Sequence, residues 1–374
     1  MKKIITLITI LIILSTIHCV AIDSSIWYKF PIPEYSYSQA YIYVPDLFRW
    51  EIRGDDSIIN LKAGGYYNYF IQRSDFDVWC NSAIRGEWYK SENGSSNQSY
   101  ERKEISYQSN FGATRYFNKF NIWSEGNFII NARNEYKCRT ELDIEIGGGL
   151  GRIVSCTPVA KAVRLIKELN IKADENLILN IADTIAKRST YQIKCKDTWE
   201  EIFYQKIADM LCLPDQGLKI RRILSSSIYE TVSRSRGWEV KLGYGNNFFT
   251  GIDPHPKGYI LFNAEYRLPW GLNKQINLKS EYSRSLDDDS SVLEFEAVLR
   301  IEHNYTWASF IEIELDKTFN SPEINDDTNY SIWIGTEKNI FNRLVSRLIV
   351  SYTKSYYYND PIFGMFLELR YYIW

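Results

Sequence analysis

Apolar and polar residues alternate along much of this chain, and the alternation predicts β-strands. In residues 293–302 one set of alternate positions is wholly apolar, whereas the other is nearly all charged. Successive side chains of a strand point to opposite faces, so we expect this segment to have one apolar and one polar face. The same pattern returns in residues 141–146, 238–244, 311–316 and 367–373.

Repeated alternating segments favour an all-β transmembrane antiparallel barrel, because the outer face of such a barrel meets lipid while its inner face meets water or a plug. A soluble β-sandwich would also alternate, and it is the alternative. Apart from the first residues, no stretch approaches the ~20 consecutive apolar residues that a membrane helix needs. The chain is therefore expected to cross a membrane with strands if it crosses one at all.

The connections between these segments alternate between short and long, as in barrels with short periplasmic turns and longer outer loops. This order predicts about 14 strands with both termini in the periplasm, and 12 strands is the alternative because the first strand is short. The predicted organisation is a signal peptide at 1–21, an extended N-terminal lead at 22–45, barrel strands 1–6 at 46–154, a helical periplasmic insertion at 155–236, and barrel strands 7–14 at 237–374.

Within the insertion the apolar period changes from two residues to that of an amphipathic helix. Thr157 is a good N-cap followed by Pro158, and further helices are expected to begin at Asp174, after Asp197 and near Gly217. Three or four amphipathic helices can bury their apolar faces against one another. We therefore expect a small helical bundle that lies below the barrel or plugs it.

The first residues are typical of a secretory signal. A basic start precedes an apolar run from Ile4 to Ile17, which is too short to span a bilayer as a helix. We expect cleavage after Ala21, and the alternative is a lipoprotein signal cut before Cys19. With the alternating strands, this start favours the outer membrane of a Gram-negative bacterium.

Composition narrows the choice of function. The chain has 28 Tyr, 18 Phe and 11 Trp, and such rings suit a sheet surface and a membrane interface. Its 44 Lys and Arg against 46 Asp and Glu give no basic excess that would indicate nucleic-acid binding. With 3 His and no Cys/His cluster at ligand spacing, we expect no metal site and no cofactor.

The cysteines after the signal are odd in number, so at least one is unpaired in an oxidising compartment. A bridge among Cys156, Cys195 and Cys212 is one interpretation, since all three fall in or beside the helical insertion. Small buried thiols are the other.

The last six residues, Leu-Arg-Tyr-Tyr-Ile-Trp, resemble the C-terminal assembly signal of bacterial outer-membrane barrels, which closes on an aromatic residue. This resemblance implies that Tyr372 and Trp374 take part in recognition by the barrel-assembly machinery, which inserts the chain into outer-membrane lipid. The sequence departs from the usual signal, because both residues are in phase with Arg370 and not with the lipid-facing set. Together with the alternating strands, the chain is similar to the porin-like class of barrels.

A glycine-rich segment lies just before the insertion. It lacks the Gly-Lys-Ser/Thr ending of a phosphate loop and the full spacing of a dinucleotide fold. Glycines inside a strand more often mark a bend or the close approach of another backbone. We expect four of them to form the junction between barrel and bundle: Gly147, Gly148, Gly149 and Gly151.

The charged members of the alternating strands are expected to face the lumen. They include Glu125, Glu141, Asp143, Glu145, Glu239, Lys241, Glu265, Arg267, Glu294, Glu296, Arg300, Glu312 and Glu314. Acidic residues outnumber basic ones, which predicts a polar pore with a mild cation preference. The alternative is a cross-strand charge ladder that only fills and stiffens the interior.

Three functions are compatible with this architecture. The leading hypothesis is a channel or porin-like transporter for small polar solutes, which the helical bundle gates or plugs. The second is an assembly, export or envelope-anchoring component whose bundle docks a periplasmic protein. The third is an outer-membrane lipase or protease using His255 or His303, but no spacing demands a catalytic triad, and we expect no enzyme.

Overall fold

The structure, a computed structural model, describes residues 25–32, 35–44, 49–53, 56–93, 98–133, 136–224, 234–250, 257–271, 273–287, 290–304, 307–319, 327–341, 344–354 and 362–372. The strands are β1 Tyr35–Val44, β2 Arg49–Arg53, β3 Asp56–Gln72, β4 Phe76–Asn93, β5 Gln98–Phe117, β6 Phe120–Arg133, β7 Tyr136–Ser155, β8 Ser235–Thr250, β9 Lys257–Trp270, β10 Lys274–Ser285, β11 Ser291–Asn304, β12 Trp307–Phe319, β13 Asp327–Phe341, β14 Leu344–Lys354 and β15 Ile362–Tyr372.

The strands form one antiparallel sheet in which each strand from β3 to β15 lies beside the next in the chain. β1 stands between the two ends of this series, because it pairs with residues 64–72 of β3 and with residues 369–372 of β15. β2 pairs with residues 56–60 of β3. β1 and β2 thus follow one another along the same edge of β3 and occupy one strand position.

The sheet therefore has 14 strand positions, which confirms the predicted antiparallel barrel and its strand number. The seam between the first and last strands is paired over only part of its height. Within the described residues, positions 362–368 of β15 have no ladder partner on the side of β2.

Large apolar side chains point outward from the barrel and stay exposed. Ile122, Phe363 and Met365 are among the most exposed, at 62%, 74% and 75%. A water-soluble protein rarely leaves such rows uncovered, whereas a transmembrane barrel needs an outward apolar band. The outer face of this sheet therefore suits lipid.

Six α-helices of the described residues form the second part of the molecule, which we call the bundle. They are α1 Ser25–Lys29, α2 Thr157–Leu169, α3 Glu175–Ala186, α4 Arg188–Cys195, α5 Trp199–Met210 and α6 Gly217–Leu224. Asp174 caps α3 by accepting a hydrogen bond from the Leu177 amide at 2.8 Å. Asn170 ends α2 in the left-handed conformation. Among the described residues, no helix has both the length and the apolar character to cross a membrane.

The bundle has its own apolar core. Trp27, Leu165, Ile181, Ile207 and Ile220 are completely buried in it. Trp27 belongs to α1, which precedes the barrel in the chain. The strands of six sheet positions therefore lie between Trp27 and the other residues of this core along the sequence. The bundle therefore depends on a segment from outside the insertion.

The N-terminal lead is the main correction to the predicted organisation. Residues 25–29 form α1 and residues 35–44 form strand β1, whereas both were expected to belong to an extended lead. Residues 35–43 alternate tyrosines with small polar and apolar residues, a pattern without the charged face that marked the other strands. The signal peptide lies outside the described residues.

The boundaries of the insertion also differ slightly from expectation. β7 continues to Ser155, α2 begins at Thr157, and β8 begins at Ser235, two residues before the expected strand. α4 was not predicted as a separate helix. Its sequence is polar and has only a weak apolar stripe, so the pattern did not reveal it as a helix, and in the structure it buries no residue.

Candidate functional site: the lumen and its floor

The lumen contains a cavity of about 560 Å³, and every residue that lines it belongs to a strand. One end of the barrel carries the helices, and we call it the bundle end. Five acidic residues and three basic residues face the cavity from β6 to β10: Glu125, Glu145, Glu239, Glu265, Glu281, Lys241, Arg267 and Lys279. Tyr69, Trp79, Tyr116 and Trp123 add aromatic surface. The cavity is therefore polar, with acid in excess.

The predicted lumen residues fall into three groups. Glu125, Glu145, Glu239, Lys241, Glu265 and Arg267 line this cavity. Glu294, Glu296 and Glu314 line a second pocket of about 260 Å³, together with Asp316. Glu141, Asp143, Arg300 and Glu312 are partly buried strand residues that line neither space.

Several of these charges are engaged with side chains of neighbouring strands. Lys241 Nζ lies 2.9 Å from Glu125 Oε1 and 3.2 Å from Glu239 Oε2, and it also faces the Trp123 ring. Tyr259 OH donates to Glu145 Oε1 at 2.6 Å. Such contacts stiffen the wall, and they leave a lumen surface of mixed charge.

The bundle end of the lumen is crossed by an extension of β7 and β8, which we call the ribbon. The ribbon and the side chains that hold it close this end, and together we call them the floor of the lumen. The ribbon consists of residues 151–155 and 235–237, in which residues 153–155 pair with residues 235–237. The ladder between β6 and β7 ends at Leu150, and the ladder between β8 and β9 begins at Gly237. Beyond Gly151 and Gly237 the ribbon is therefore two strands wide and separated from the rest of the wall.

Glycines with positive φ stand where the ribbon leaves the wall. Gly151 has φ of +84° and Gly237 has φ of +115°. A Cβ atom would lie 2.3 Å from the Trp238 carbonyl oxygen at Gly151, and 2.2 Å from the Arg152 carbonyl oxygen at Gly237. Only glycine fits both the conformation and the space, so the two residues allow a bend that other residues would resist.

Gln72 shows that the ribbon bends into the lumen. Its Nε2 donates to the Ile153 carbonyl at 3.1 Å, and its Oε1 accepts from the Ser155 amide at 2.8 Å. Gln72 is on β3, four strand spacings from β7, which is about 19 Å along the wall. A glutamine side chain cannot span that distance, so the ribbon must cross toward β3.

Arg152 holds the same side of the ribbon. Its guanidinium donates to the Ser74 carbonyl and to Asp77 Oδ1, both at 2.7 Å, and contacts the Arg73 carbonyl. It also lies 4.0 Å from the centre of the Tyr116 ring. This single side chain therefore joins the ribbon to β4, β5 and the turn between β3 and β4.

The opposite side of the ribbon is held by β10 and β11. Gln275 Nε2 donates to the Ser235 carbonyl at 2.9 Å, and its Oε1 accepts from the Ser235 amide at 3.3 Å. Arg234, completely buried, donates to Glu302 Oε2 at 2.7 Å, and Arg164 of α2 forms an ion pair with Glu302 Oε1.

Two buried guanidinium groups thus share one carboxylate. Burial lowers the pKa of Arg234 to about 9 and that of Arg164 to about 10, because desolvation disfavours the charged forms. The charges of Arg164 and Arg300 lower the pKa of Arg234 further, whereas the Glu168 carboxylate opposes the shift of the Arg164 pKa. Loss of Glu302 would leave the two buried guanidinium groups without the carboxylate that they share, and burying a charge without its partner is costly.

Only part of the predicted glycine junction lies at the bend. At Gly147 and Gly149 a Cβ atom would meet the Trp123 ring at 2.8 Å and Asn121 Oδ1 at 2.6 Å, besides the β8 backbone. Gly148 has no neighbour closer than 3.6 Å. Gly147 and Gly149 make room for side chains of β6, and of the four predicted glycines Gly151 stands where the ribbon leaves the wall.

The remaining candidate residues contribute little to a site. Tyr372 pairs with Tyr41 across the seam, while Trp374 and His255 lie outside the described residues. His303 Nε2 is 2.9 Å from Ser309 Oγ, and its ring packs against Trp307. No carboxylate contact to that imidazole occurs among the described residues, so the pair lacks the group that orients a catalytic histidine.

Neither a metal site nor a disulfide emerges from the described residues. They contain no group of three or more His, Cys, Asp or Glu that could hold a metal ion. Cys80, Cys156, Cys195 and Cys212 are free thiols, and Cys156 is buried beside the Trp27 carbonyl. Burial raises the pKa of the Cys156 thiol to about 11.

Gln72, Asp77, Tyr116, Arg152 and Gln275 were absent from the predicted site. They lie at or near strand ends, outside the alternating segments from which the lumen-facing residues were predicted. Arg152 had a detectable signal, since it interrupts the otherwise uncharged segment 146–160.

Comparisons with known proteins give structural matches only. No protein-family profile matches the chain, and no curated protein sequence matches it. Similar solved structures include a BenF-like porin from Pseudomonas fluorescens Pf-5 (TM-score 0.37, 7% identity, covering 92% of this chain and 100% of that one). Another is the Acinetobacter baumannii outer membrane protein Omp33 (0.37, 8%, 91% and 99%). A third is the translocator domain of the autotransporter NalP from Neisseria meningitidis (0.30, 8%, 90% and 88%).

The chain has the fold of an antiparallel β-barrel. The assignment rests on its own strands, with their outward apolar rows and inward charged residues.

Proposed function

We propose that the protein is an outer-membrane channel for small polar solutes, closed in this conformation by the ribbon and the bundle. The observation that carries the proposal is the cavity of about 560 Å³, which is lined by charged strand residues and ends at the ribbon. A barrel that served only as an anchor would need no such space. Side chains at its wall can hydrogen-bond a hydrated solute, as channel walls do.

The excess of acidic residues supports a preference for cations. Glu281 lines both the cavity and the second pocket, and four further carboxylates of the second pocket face a single lysine, Lys279. A constriction with a negative potential attracts cations and repels anions. The solutes are therefore expected to be neutral or cationic.

We further propose that the bundle lies in the periplasm, with both chain termini on that side. The described turns at the bundle end are short, such as residues 73–75 and 118–119. Short turns face the periplasm in bacterial barrels. Insertion into outer-membrane lipid would then follow recognition by the barrel-assembly machinery.

Conductance in planar bilayers tests the channel directly. In a floorless variant, residues 152–238 are replaced by a short Gly-Ser loop, which is feasible because Gly151 and Glu239 are ladder partners. We expect little steady conductance from the full chain and an open pore from the floorless variant. Its reversal potential in a KCl gradient should have the sign of cation selectivity. A folded floorless variant that does not conduct would falsify the channel.

A docking role for the bundle is the second proposal. Ile193 and Leu218 are apolar bundle residues that are 78% and 81% exposed, an arrangement that a partner could cover. The test is cross-linking of the full chain in bacterial envelopes, compared with a variant carrying Ile193→Ser and Leu218→Ser. A specific cross-link lost in the variant supports docking. Identical cross-linking patterns count against this surface.

A further inference from the structure

The ribbon is the part of the lumen floor that can move at least cost to the barrel. Beyond Gly151 and Gly237 it shares no ladder with β6 or β9, so displacement of residues 153–155 with residues 235–236 breaks no pairing between wall strands. On the β7 side its last backbone bond to the wall runs from the Gly151 amide to the Lys119 carbonyl at 3.1 Å, and on the β8 side its last ladder partner is Arg267, opposite Gly237. Motion about these points would leave the wall intact.

The contacts that hold the ribbon down are side-chain contacts on two sides. Gln72 and Arg152 hold it toward β3 and β4, and Gln275 and Glu302 hold it toward β10 and β11. Polar contacts of this kind can break and reform, because each partner can exchange to water when the space opens. A packed apolar floor would not have this property.

The bundle is tied to the same floor. Arg164 of α2 and Arg234 beside the ribbon share Glu302, and Thr157 at the start of α2 accepts a hydrogen bond from the Arg234 amide at 3.0 Å. Arg236 of the ribbon donates to the Phe30 carbonyl at 2.8 Å. A displacement of the bundle would therefore be transmitted to the ribbon.

We propose that the ribbon is a gate, which swings about Gly151 and Gly237 and is latched by Arg152 to Asp77 on one side and by Glu302 to two arginines on the other. This inference rests on the proposed channel function. It adds that opening occurs at the bundle end, by motion of the ribbon and the bundle together.

Single-channel recordings of full-length variants test the latches. Arg152→Gln and Glu302→Gln should each raise the fraction of time spent open by tenfold or more over the wild type. Arg152→Lys keeps the charge and should restore most of the closed time. Lys187→Gln is the matched control, since it removes only an exposed ion pair with Asp183 within α3 and its end. It should leave the open fraction unchanged.

The hinge is tested by Gly237→Ala, with Gly271→Ala as control. A Cβ atom at Gly237 would meet the Arg152 carbonyl oxygen at 2.2 Å, whereas at Gly271, also at positive φ, it would meet nothing within 4 Å. We expect Gly237→Ala to alter the opening rate at least tenfold and Gly271→Ala to have a much smaller effect. Heat-modifiable gel migration identifies any variant that does not fold, and the latch variants then decide.

The two levels of the proposal fail in different ways. If the floorless variant conducts but Arg152→Gln and Glu302→Gln open no more often than Lys187→Gln, the gate is wrong and the channel stands. If the floorless variant folds and does not conduct, the channel itself is wrong. Raised opening in both latch variants, restored by Arg152→Lys, supports the gate.

Discussion

The barrel and the bundle place their apolar side chains in opposite ways. In the bundle, Trp27, Leu165 and Ile207 are completely buried, and charged residues lie mainly on the surface. In the barrel, Ile122 and Phe363 are exposed on the outer face, while charged residues line the lumen. One chain is thus built for two solvents, and a similar apolar residue stabilises the bundle by burial and the barrel by contact with lipid.

The ribbon joins these two regions, and it follows neither rule. Its surroundings are buried but polar, with Gln72, Asp77, Gln275 and Glu302 among the least exposed polar residues of the chain. Buried polar groups stabilise a fold only when their hydrogen bonds are made. Such a floor is specific in its closed arrangement and sensitive to the loss of one partner.

The largest expected effect concerns the bundle core. Trp27→Ala should destabilise the bundle by about 3–5 kcal/mol, because it empties a completely buried indole site. Pulse proteolysis in urea measures the unfolding of the bundle, and heat-modifiable migration reports the barrel. Phe363→Ala is the control, since its ring is exposed on the outer face. Equal loss of bundle stability in both variants would contradict the comparison.

The second prediction separates exposure to lipid from exposure to water. Ile313 lies on the outer face of β12, and Ile193 lies on the surface of α4. Ile313→Arg should reduce the folding free energy in lipid vesicles by about 2–4 kcal/mol, as an arginine near the middle of a bilayer does. Ile193→Arg should change it by less than about 0.5 kcal/mol. Urea titration of vesicle-inserted protein measures both, and similar values would mean that β12 does not face lipid.

The barrel was predictable from the sequence because alternation is a local signal. Each segment such as 293–302 reveals its two faces without knowledge of any partner, and antiparallel order follows from short connections. The capped start of α3 was predictable for the same reason, whereas the predicted N-cap of α2 was wrong: Cys156 stands at that position without a side-chain capping bond, and Thr157 is the first helical residue. Strand β1 was missed because its alternation lacks a charged face, although its tyrosines follow the period of two.

The floor could not be predicted in this way. Alternation assigns Gln72 to a strand but does not say that its side chain meets Ser155, 83 residues later in the chain. The same holds for Trp27, whose five-residue helix is too short to be stable alone and forms through contacts with the bundle. Both are long-range contacts, which a single sequence does not specify.

The smallest expected effect is a pH dependence that should appear in the bundle and not in the barrel. Burial raises the pKa of Cys156 to about 11, from about 9 for a free thiol. The folded bundle therefore retains the thiol proton where the unfolded chain loses it, and bundle stability should be complete below pH 9 and fall as the pH rises toward 11. The loss from this group is at most about 2–3 kcal/mol.

Pulse proteolysis at a series of pH values measures this loss, and Cys156→Ala isolates it from the titration of lysines and tyrosines. The variant should have lower stability at neutral pH, because it leaves a small cavity, but a shallower decline between pH 9 and 11. Cys212→Ala should keep the steep decline, since Cys212 is exposed. Parallel declines in the wild type and both variants would show that Cys156 is not buried in the folded bundle. They would therefore contradict the packing of the start of α2 against α1.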